Sequence, residues 1–137
     1  MKHPTRAQGQ SRTVPIIGIC GGSGSGKTTI VRKISEIVPQ FTVVAQDNYY
    51  KTAEYVSNTN ITGFNIDHPT AFDTDLMYQQ LLELQQGRPI DMPQYDFVRN
   101  RRSDDTIRVS GARLIVFEGI MIFFEKRIRD LLDLKLY

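Results

Sequence analysis

The stretch VPIIGICGGSGSGKTTIV, residues 14–31, decides the fold of this chain. It opens with an apolar run rich in β-branched residues, which is typical of a buried strand. Glycines and serines follow up to Gly26, and apolar residues then resume at helical spacing. A strand, a glycine-rich loop and a helix that carry G-x-x-x-x-G-K-[ST] are the setting of a P-loop. The stretch therefore predicts an α/β protein that binds a nucleoside triphosphate.

Each residue type in this loop has a chemical reason. Glycines let backbone N–H groups turn inward without obstruction by a Cβ atom, and the helix directs its positive end at the same point. Lys27 supplies a mobile charge for the β- and γ-phosphates, and the Thr28 hydroxyl can bind Mg²⁺. A plain glycine-rich turn does not account for these two residues. The predicted nucleotide contacts are Gly21, Gly22, Ser23, Gly24, Ser25, Gly26, Lys27, Thr28 and Thr29.

Composition bounds the class of protein. A chain of 137 residues supports one domain with a sizeable core, and no apolar run approaches the ~20 residues that span a bilayer. Cys20 has no second cysteine to pair with, so we expect a reducing cytoplasm. The net charge of +2 comes from residues 1–13, whose three basic side chains face no acid, so the remainder carries −1. We expect a disordered basic tail at 1–13, and neither a nucleic-acid nor a membrane partner.

The rest of the chain alternates short buried strands with helical segments. We predict an irregular stretch at 52–72, and an extended segment at 89–97 whose two prolines argue against a central strand. This alternation implies a parallel sheet with helices on both faces. We predict strands at 41–46, 114–117 and 134–137, and an edge strand or hairpin arm at 104–110. The helix that follows the P-loop is predicted to end near residue 38. Two further helices are predicted at 73–86, with Asp73 as N-cap and Gly87 after the end, and at 124–132.

Two acidic residues directly follow predicted buried strands. Glu118 lies where P-loop proteins place an acid that holds Mg²⁺; the alternative is a surface carboxylate that caps the next helix. Asp47 can accept or orient the proton of a substrate hydroxyl; the alternative is an Asx-turn residue beside Asn48. Because ligands bind at the carboxyl ends of parallel strands, we expect the P-loop, Asp47 and Glu118 to converge.

Aromatic and basic residues near this edge leave alternatives open. Taken singly, an aromatic side chain is more often a core or rim residue than a ligand contact, although each can stack on a planar ring. The arginines of RNRR, residues 99–102, either bind phosphate or form a solvated turn beside Asp104 and Asp105. The aromatic candidates are Tyr49, Tyr50, Tyr95 and Phe97.

Taken together, these motifs resemble the uridine kinase (uridine–cytidine kinase) family. The resemblance covers residues 14–137, as one kinase domain, and implies a P-loop fold with a parallel sheet and a small β-hairpin insertion for the substrate. It also implies transfer of the γ-phosphoryl group of ATP or GTP to the 5′-hydroxyl of uridine or cytidine, a step of pyrimidine salvage. The matching stretches are GGSGSGKT at 21–28, QDNYYK at 46–51, FNIDHPTAFDTDL at 64–76, MPQYDFVRNRRSDDT at 92–106 and FEGIMIF at 117–123.

The resemblance also assigns roles to residues. Asp47 matches the catalytic base, and we place Lys27 of the P-loop beside it in the catalytic set. Thr28 and Glu118 match the magnesium site, and Asp67 matches the carboxylate that holds the ribose hydroxyls. A homo-oligomer, a tetramer by resemblance, is the expected assembly. The expected nucleoside contacts are Tyr50, Ile66, Asp67, Tyr95, Phe97, Asn100 and Arg102.

Two departures from the family bear on these expectations. The family often carries histidine where this chain has Asn100. An amide has both a hydrogen-bond donor and an acceptor, so it can still pair with either pyrimidine. Family members continue beyond Tyr137 into an arginine-bearing lid, so the chain looks like the N-terminal two-thirds of a kinase and is expected to be a poor catalyst alone. The alternatives are a related kinase of the phosphoribulokinase or pantothenate kinase type, or a non-catalytic nucleotide-binding module.

Overall fold

The computed structural model describes residues 13–21, 26–51 and 69–137. The predicted tail, apart from Thr13, lies outside these ranges. Short 3₁₀ turns occur at Gln46–Tyr49 and Pro69–Ala71. The described strands are β1 (Ile16–Cys20), β2 (Phe41–Ala45), β3 (Ile90–Asp96), β4 (Arg101–Val109), β5 (Leu114–Gly119) and β6 (Leu134–Leu136), and the described α-helices are α1 (Lys27–Ile37), α2 (Thr74–Gln85) and α3 (Lys126–Arg129).

Four strands form a parallel sheet in the order β2-β5-β1-β6. β5 lies inside it, and its residues 114–117 are buried on both faces, as a continuous apolar run predicts. In the register, Cys20 of β1 pairs with Gly119, and Ala45 of β2 pairs with Glu118. All four strands run in one direction, so the chain leaves β1, β2 and β5 at one edge of the sheet. The predicted parallel α/β sheet is confirmed.

Helices cover both faces of this sheet. On one face, Ile30 and Ile34 of α1 pack in a cluster with Val116. On the other face, Met77 of α2 and Phe117 of β5 belong to a larger core that also takes in the aromatic residues near the sheet edge. Fully burying an aliphatic or aromatic side chain stabilises a fold by about 1.5–3 kcal/mol. The larger cluster therefore contributes most of the packing free energy and holds α2 in place.

β3 and β4 form a separate antiparallel hairpin. Asp96 shapes its tip, because Oδ1 accepts hydrogen bonds from the backbone N–H groups of Val98 at 2.9 Å and Arg99 at 3.1 Å. Asn100 completes the turn with a φ of 54°, a left-handed conformation that asparagine tolerates better than most residues. The pairing register of β3 and β4 shifts just after Pro93. This irregularity agrees with the expectation that the proline-containing segment is not a central strand. This hairpin matches the insertion that the family resemblance implies.

The prediction of a helix at 124–132 is wrong in its length, since α3 covers only Lys126–Arg129. The cause lies in the guanidinium of Arg129, which donates hydrogen bonds to the carbonyl oxygens of Phe123 at 2.7 Å and Phe124 at 3.0 Å. A longer helix would need these carbonyls for its own backbone hydrogen bonds. A side-chain contact from Arg129, five and six residues further along the chain, thus replaces the first helical turn.

Other boundaries differ by a few residues. The arm predicted at 104–110 begins already at Arg101, because residues 101 and 102 pair with residues 96 and 95. Residues 52–68 of the stretch predicted as irregular lie outside the described residues, and Pro69–Ala71 is a 3₁₀ turn. Among the described helices, none is both long and apolar enough to cross a membrane.

Gly119 at the end of β5 leaves no room for a side chain. A Cβ atom there would lie 2.5 Å from both Cβ and Oε1 of Gln46, which is itself buried. We expect Gly119→Ala to lower the free energy of unfolding by about 1–3 kcal/mol, as overpacking does. Urea unfolding would measure this beside Gly18→Ala, whose Cβ would meet the flexible end of Leu132 at 2.6 Å. A smaller loss for Gly119→Ala than for Gly18→Ala would contradict the prediction.

Candidate active site

The end of the P-loop places Lys27 and Thr28 in the first turn of α1. Gly26 precedes the helix with a φ of 91°, and no atom lies within 4 Å of its would-be Cβ, so the backbone angle and not crowding favours glycine. A helix N-terminus presents N–H groups and positive dipole charge to an anion. The helix start is therefore built as the sequence predicts; residues 22–25 of the predicted phosphate cradle lie outside the described residues.

Lys27 and Glu118 form a salt bridge at the carboxyl end of the sheet. Lys27 Nζ lies 2.6 Å from Oε2 of Glu118, and the two side chains are only 22% and 21% exposed. β5 brings Glu118 here because it pairs in parallel with β1, whose end leads into the P-loop. Glu118 does not cap the next helix, since α3 starts at Lys126 with Glu125 as its N-cap. The expected convergence of the P-loop and Glu118 is confirmed.

A cavity of about 680 Å³ opens beside this ion pair. Its size is in the range of small-molecule sites. Its polar lining offers an ammonium group, two hydroxyls and a carboxylate, the groups that bind phosphates and the oxygen-seeking Mg²⁺ ion. This set of donors and acceptors fits a magnesium nucleotide. The lining residues are Gly26, Lys27, Thr28, Thr29, Val31, Val43 and Glu118.

Asp47 lies in the 3₁₀ turn that follows β2, where it interacts electrostatically with both Lys27 and Glu118. Its side chain reaches the surface, yet the surrounding protein removes part of its hydration, and this desolvation raises the pKa of the carboxyl. The charge of Glu118 raises that pKa further, whereas Lys27 lowers it. Such a carboxylate accepts a proton more readily than an ordinary aspartate.

Gln46 ties the two acidic turns together, a role that sequence analysis missed. The residue is 3% exposed, and its side-chain Oε1 accepts a hydrogen bond from the N–H of Met121 at 3.0 Å. The turn after β2, which carries Asp47, is thereby joined to the turn after β5, which follows Glu118. The available signal was a polar residue at the end of an apolar strand.

Four aromatic rings form a cluster beside this edge, hereafter the aromatic cluster. Tyr50 and Phe72 stack with ring centroids 4.3 Å apart. Tyr95 lies 5.4 Å from Tyr50 and 4.9 Å from Phe97, both between centroids. Phe72 was missed by sequence analysis although it lies within one of the matching stretches. Tyr50, Phe72 and Tyr95 are buried and belong to the larger core, as does Tyr49, whereas Phe97 is 57% exposed.

The remaining predicted nucleoside contacts are not among these four rings. Asn100 lies exposed at the tip of the hairpin, and Ile66 and Asp67 lie outside the described residues. Arg102 extends from β4 to the start of α2, where its Nη2 lies 2.8 Å from Oδ2 of Asp73.

Every arginine of the RNRR segment pairs with an acid. The pairs made by Arg99 and Arg101 are exposed and longer than 3.4 Å, and such surface pairs contribute little to stability. For these two residues the structure favours the solvated turn over a phosphate site. The partners are Asp96 at 3.7 Å for Arg99 and Asp104 at 3.5 Å for Arg101.

Comparisons with known proteins agree with this geometry. The model of the phosphoribulokinase/uridine kinase family matches residues 16–137. The chain is 51% identical over 127 residues to a uridine kinase of Borrelia hermsii, covering 90% of this chain and 60% of that protein. It is 45% identical over 124 residues to a uridine kinase of Streptococcus agalactiae, covering 89% of this chain and 59% of that protein. The chain thus spans about 60% of the length of these curated relatives.

A solved structure supports the fold independently. The phosphoribulokinase of Rhodobacter spheroides superposes with a TM-score of 0.68 at 17% identity, covering 91% of this chain and 50% of that one. At this identity the likeness extends to the fold alone.

Proposed function

The chain belongs to the phosphoribulokinase/uridine kinase family, and we propose on this premise that its site transfers the γ-phosphoryl group of ATP or GTP to the 5′-hydroxyl of uridine or cytidine. The observation that carries the proposal is the meeting of Lys27, Glu118 and Asp47 at one sheet edge, with the aromatic cluster beside them. A charged phosphate site next to stacked rings suits an acceptor that has a planar base.

The donor side of the site follows from electrostatics. Lys27 and the N-terminus of α1 hold the β- and γ-phosphates, while Thr28 and Glu118 hold Mg²⁺. The bound ion neutralises charge on the phosphate oxygens. A bound nucleotide would draw the Lys27 ammonium from the Glu118 carboxylate to the phosphates, and Glu118 would then be available to hold Mg²⁺.

Asp47 serves the acceptor side. The 5′-oxygen of the nucleoside forms a bond to the γ-phosphorus while the bond to the leaving β-phosphate oxygen breaks, and the carboxylate of Asp47 takes the hydroxyl proton. Gln46 holds the turn of Asp47 at a set distance from that of Glu118. The products are a nucleoside 5′-monophosphate and the nucleoside diphosphate.

The nucleoside base lies against the aromatic cluster in this proposal. Phe97 is the exposed ring that the base can reach, and Tyr50 and Tyr95 pack against it, with Phe72 behind Tyr50. The Asn100 amide reads the pyrimidine edge, with its NH₂ for uracil or its carbonyl for cytosine. Ile66 and Asp67 complete the pocket, with Asp67 on the ribose hydroxyls. A role in pyrimidine salvage, a cytoplasmic setting and a homo-oligomeric assembly belong to the same proposal.

Product analysis tests the proposal. With ATP and Mg²⁺ we expect UMP from uridine and CMP from cytidine, detected by mass spectrometry, and no product from adenosine, since we expect the pocket to exclude a purine. Each acceptor is run with the 137-residue chain and with whatever longer chain its gene encodes. Equal nucleotide consumption with and without pyrimidine nucleoside would assign another acceptor. Nucleotide binding with no turnover in either chain would assign a binding module.

A further inference from the structure

The hairpin β3–β4 carries Tyr95, Phe97 and Asn100, yet its strands do not hydrogen-bond to the strands of the parallel sheet. Its position relative to the P-loop edge therefore depends on side-chain contacts. The strongest charged contact is that of Arg102, whose Nη2 donates to Oδ2 of Asp73 at 2.8 Å with side-chain exposures of 28% and 37%. The other ion pairs of the hairpin are more exposed or longer.

Asp73 is a junction of three elements. Its Oδ1 accepts a hydrogen bond from the N–H of Leu76 at 3.3 Å and so caps α2. Its own N–H donates to the carbonyl of Tyr49 at 2.7 Å, which joins it to the turn that contains Asp47. Its Oδ2 receives Arg102. One residue thus connects the hairpin and α2 through its side chain and the acidic turn through its backbone.

Arg102 is placed to control the rings. It pairs with Tyr95 in the hairpin register, and residues directly opposite each other project from the same face. The Nε atom of Arg102 and the hydroxyl of Tyr95 are both buried without a hydrogen-bond partner among the described residues. The positive charge of Arg102 also acts on the buried Tyr49, where it opposes the rise in pKa that burial causes. The guanidinium therefore lies inside the junction, not at the hairpin surface.

We infer that Arg102 is a positioning residue that acts through Asp73 and does not itself bind the nucleoside. The ion pair holds the hairpin where Tyr95 and Phe97 contact Tyr50, 5.4 and 5.9 Å away between centroids. The inference rests on the proposed nucleoside kinase function. It replaces the direct contact that the family resemblance implies for Arg102. Ile90, Met92 and Val109 anchor the other end of the hairpin in the larger core, so loss of this tie loosens the end that carries Tyr95 and Phe97.

A double-mutant cycle tests the inference. Asp73→Asn removes the charge and keeps the cap of α2, because asparagine caps helices as well as aspartate does. We expect Asp73→Asn and Arg102→Gln each to weaken uridine binding about tenfold by calorimetry. The double variant should be no weaker than either single variant, since both remove one shared interaction. The affinity for ATP should stay unchanged in all three.

The matched control is the exposed ion pair of Asp91 and Arg108, which joins β3 to β4 within the hairpin at 3.0 Å and does not reach α2. Asp91→Asn and Arg108→Gln should leave the affinity for uridine at the wild-type value. Uridine binding that is normal in Asp73→Asn but weak in Arg102→Gln would identify Arg102 as a direct ligand and overturn the inference. Additive losses in the double variant would overturn it as well.

A readout without nucleoside separates this inference from the proposed function. Amide hydrogen exchange over residues 90–109, measured without ligand, should accelerate in Asp73→Asn and Arg102→Gln and stay unchanged in the control variants. Unchanged exchange in the first two would refute the positioning role. A wild-type chain that binds no uridine would defeat the proposed function, while the exchange rates would still decide the role of Arg102.

Discussion

Asp47→Asn is expected to lower the kcat of uridine phosphorylation by about 10²–10⁴-fold, the typical loss on removing a general base. Asparagine keeps the size of the side chain but cannot take the 5′-hydroxyl proton. The dissociation constant for uridine should change far less, because in the proposed site the aromatic cluster and Asp67 set it, so we expect the defect in kcat. Steady-state kinetics and calorimetry on the longest chain that the gene encodes would measure both.

Asp96→Asn is the matched control for this variant. Asp96 is a turn residue whose Oδ1 accepts two backbone hydrogen bonds at the hairpin tip, and asparagine supports such turns nearly as well. Its kcat should stay near the wild-type value. A near-normal kcat in Asp47→Asn would place Asp47 in the same structural class and leave the base unidentified.

The pH profile gives the Asp47 prediction a second readout. Desolvation and the charge of Glu118 raise the pKa of Asp47 above the usual 3.8. A base acts only when deprotonated, so kcat/KM, which reports the free enzyme, should fall as the pH drops through this raised pKa. This fall of kcat/KM at low pH should be missing from the residual activity of Asp47→Asn. If the fall is retained in that variant, another group causes it.

Lys27→Ala is expected to abolish productive nucleotide binding, with turnover below detection, because the phosphates lose the P-loop cation. Lys27→Arg should not restore turnover, since a planar guanidinium does not match a compact ammonium. Lys33→Ala, on the exposed side of α1, is the control and should behave as wild type. Isothermal calorimetry with ATP and a coupled assay for ADP measure the two effects.

The structure adds a folding component to this variant. Lys27→Ala leaves Glu118, only 21% exposed, without its partner, and an unpaired partly buried charge destabilises the fold. The double variant Lys27→Met/Glu118→Gln removes both charges, so it should recover thermal stability without recovering turnover. Normal turnover in Lys27→Ala would refute the P-loop assignment, and recovered turnover in the double variant would refute the electrostatic role of the pair.

Local patterns were enough to predict most elements. Asp73 caps α2 as expected, and Gly87 follows the helix with a φ of 81°, the left-handed backbone that glycine favours there. Both depend on residues a few positions apart, so the sequence contains all the information. α3 was overestimated because its length depends on Arg129, whose guanidinium binds carbonyls that a helical pattern assigns to the backbone.

The sequence by itself determined the strand and the helix that flank the P-loop, and the approach of Lys27 to Glu118. The reason is geometric: parallel strands end at one edge, so a residue that ends a buried strand has a known place. Only the tertiary structure decided that Arg102 binds Asp73 and that Phe72 joins the rings. These contacts link side chains on separate elements, and their choice depends on packing in three dimensions, which no sequence period encodes.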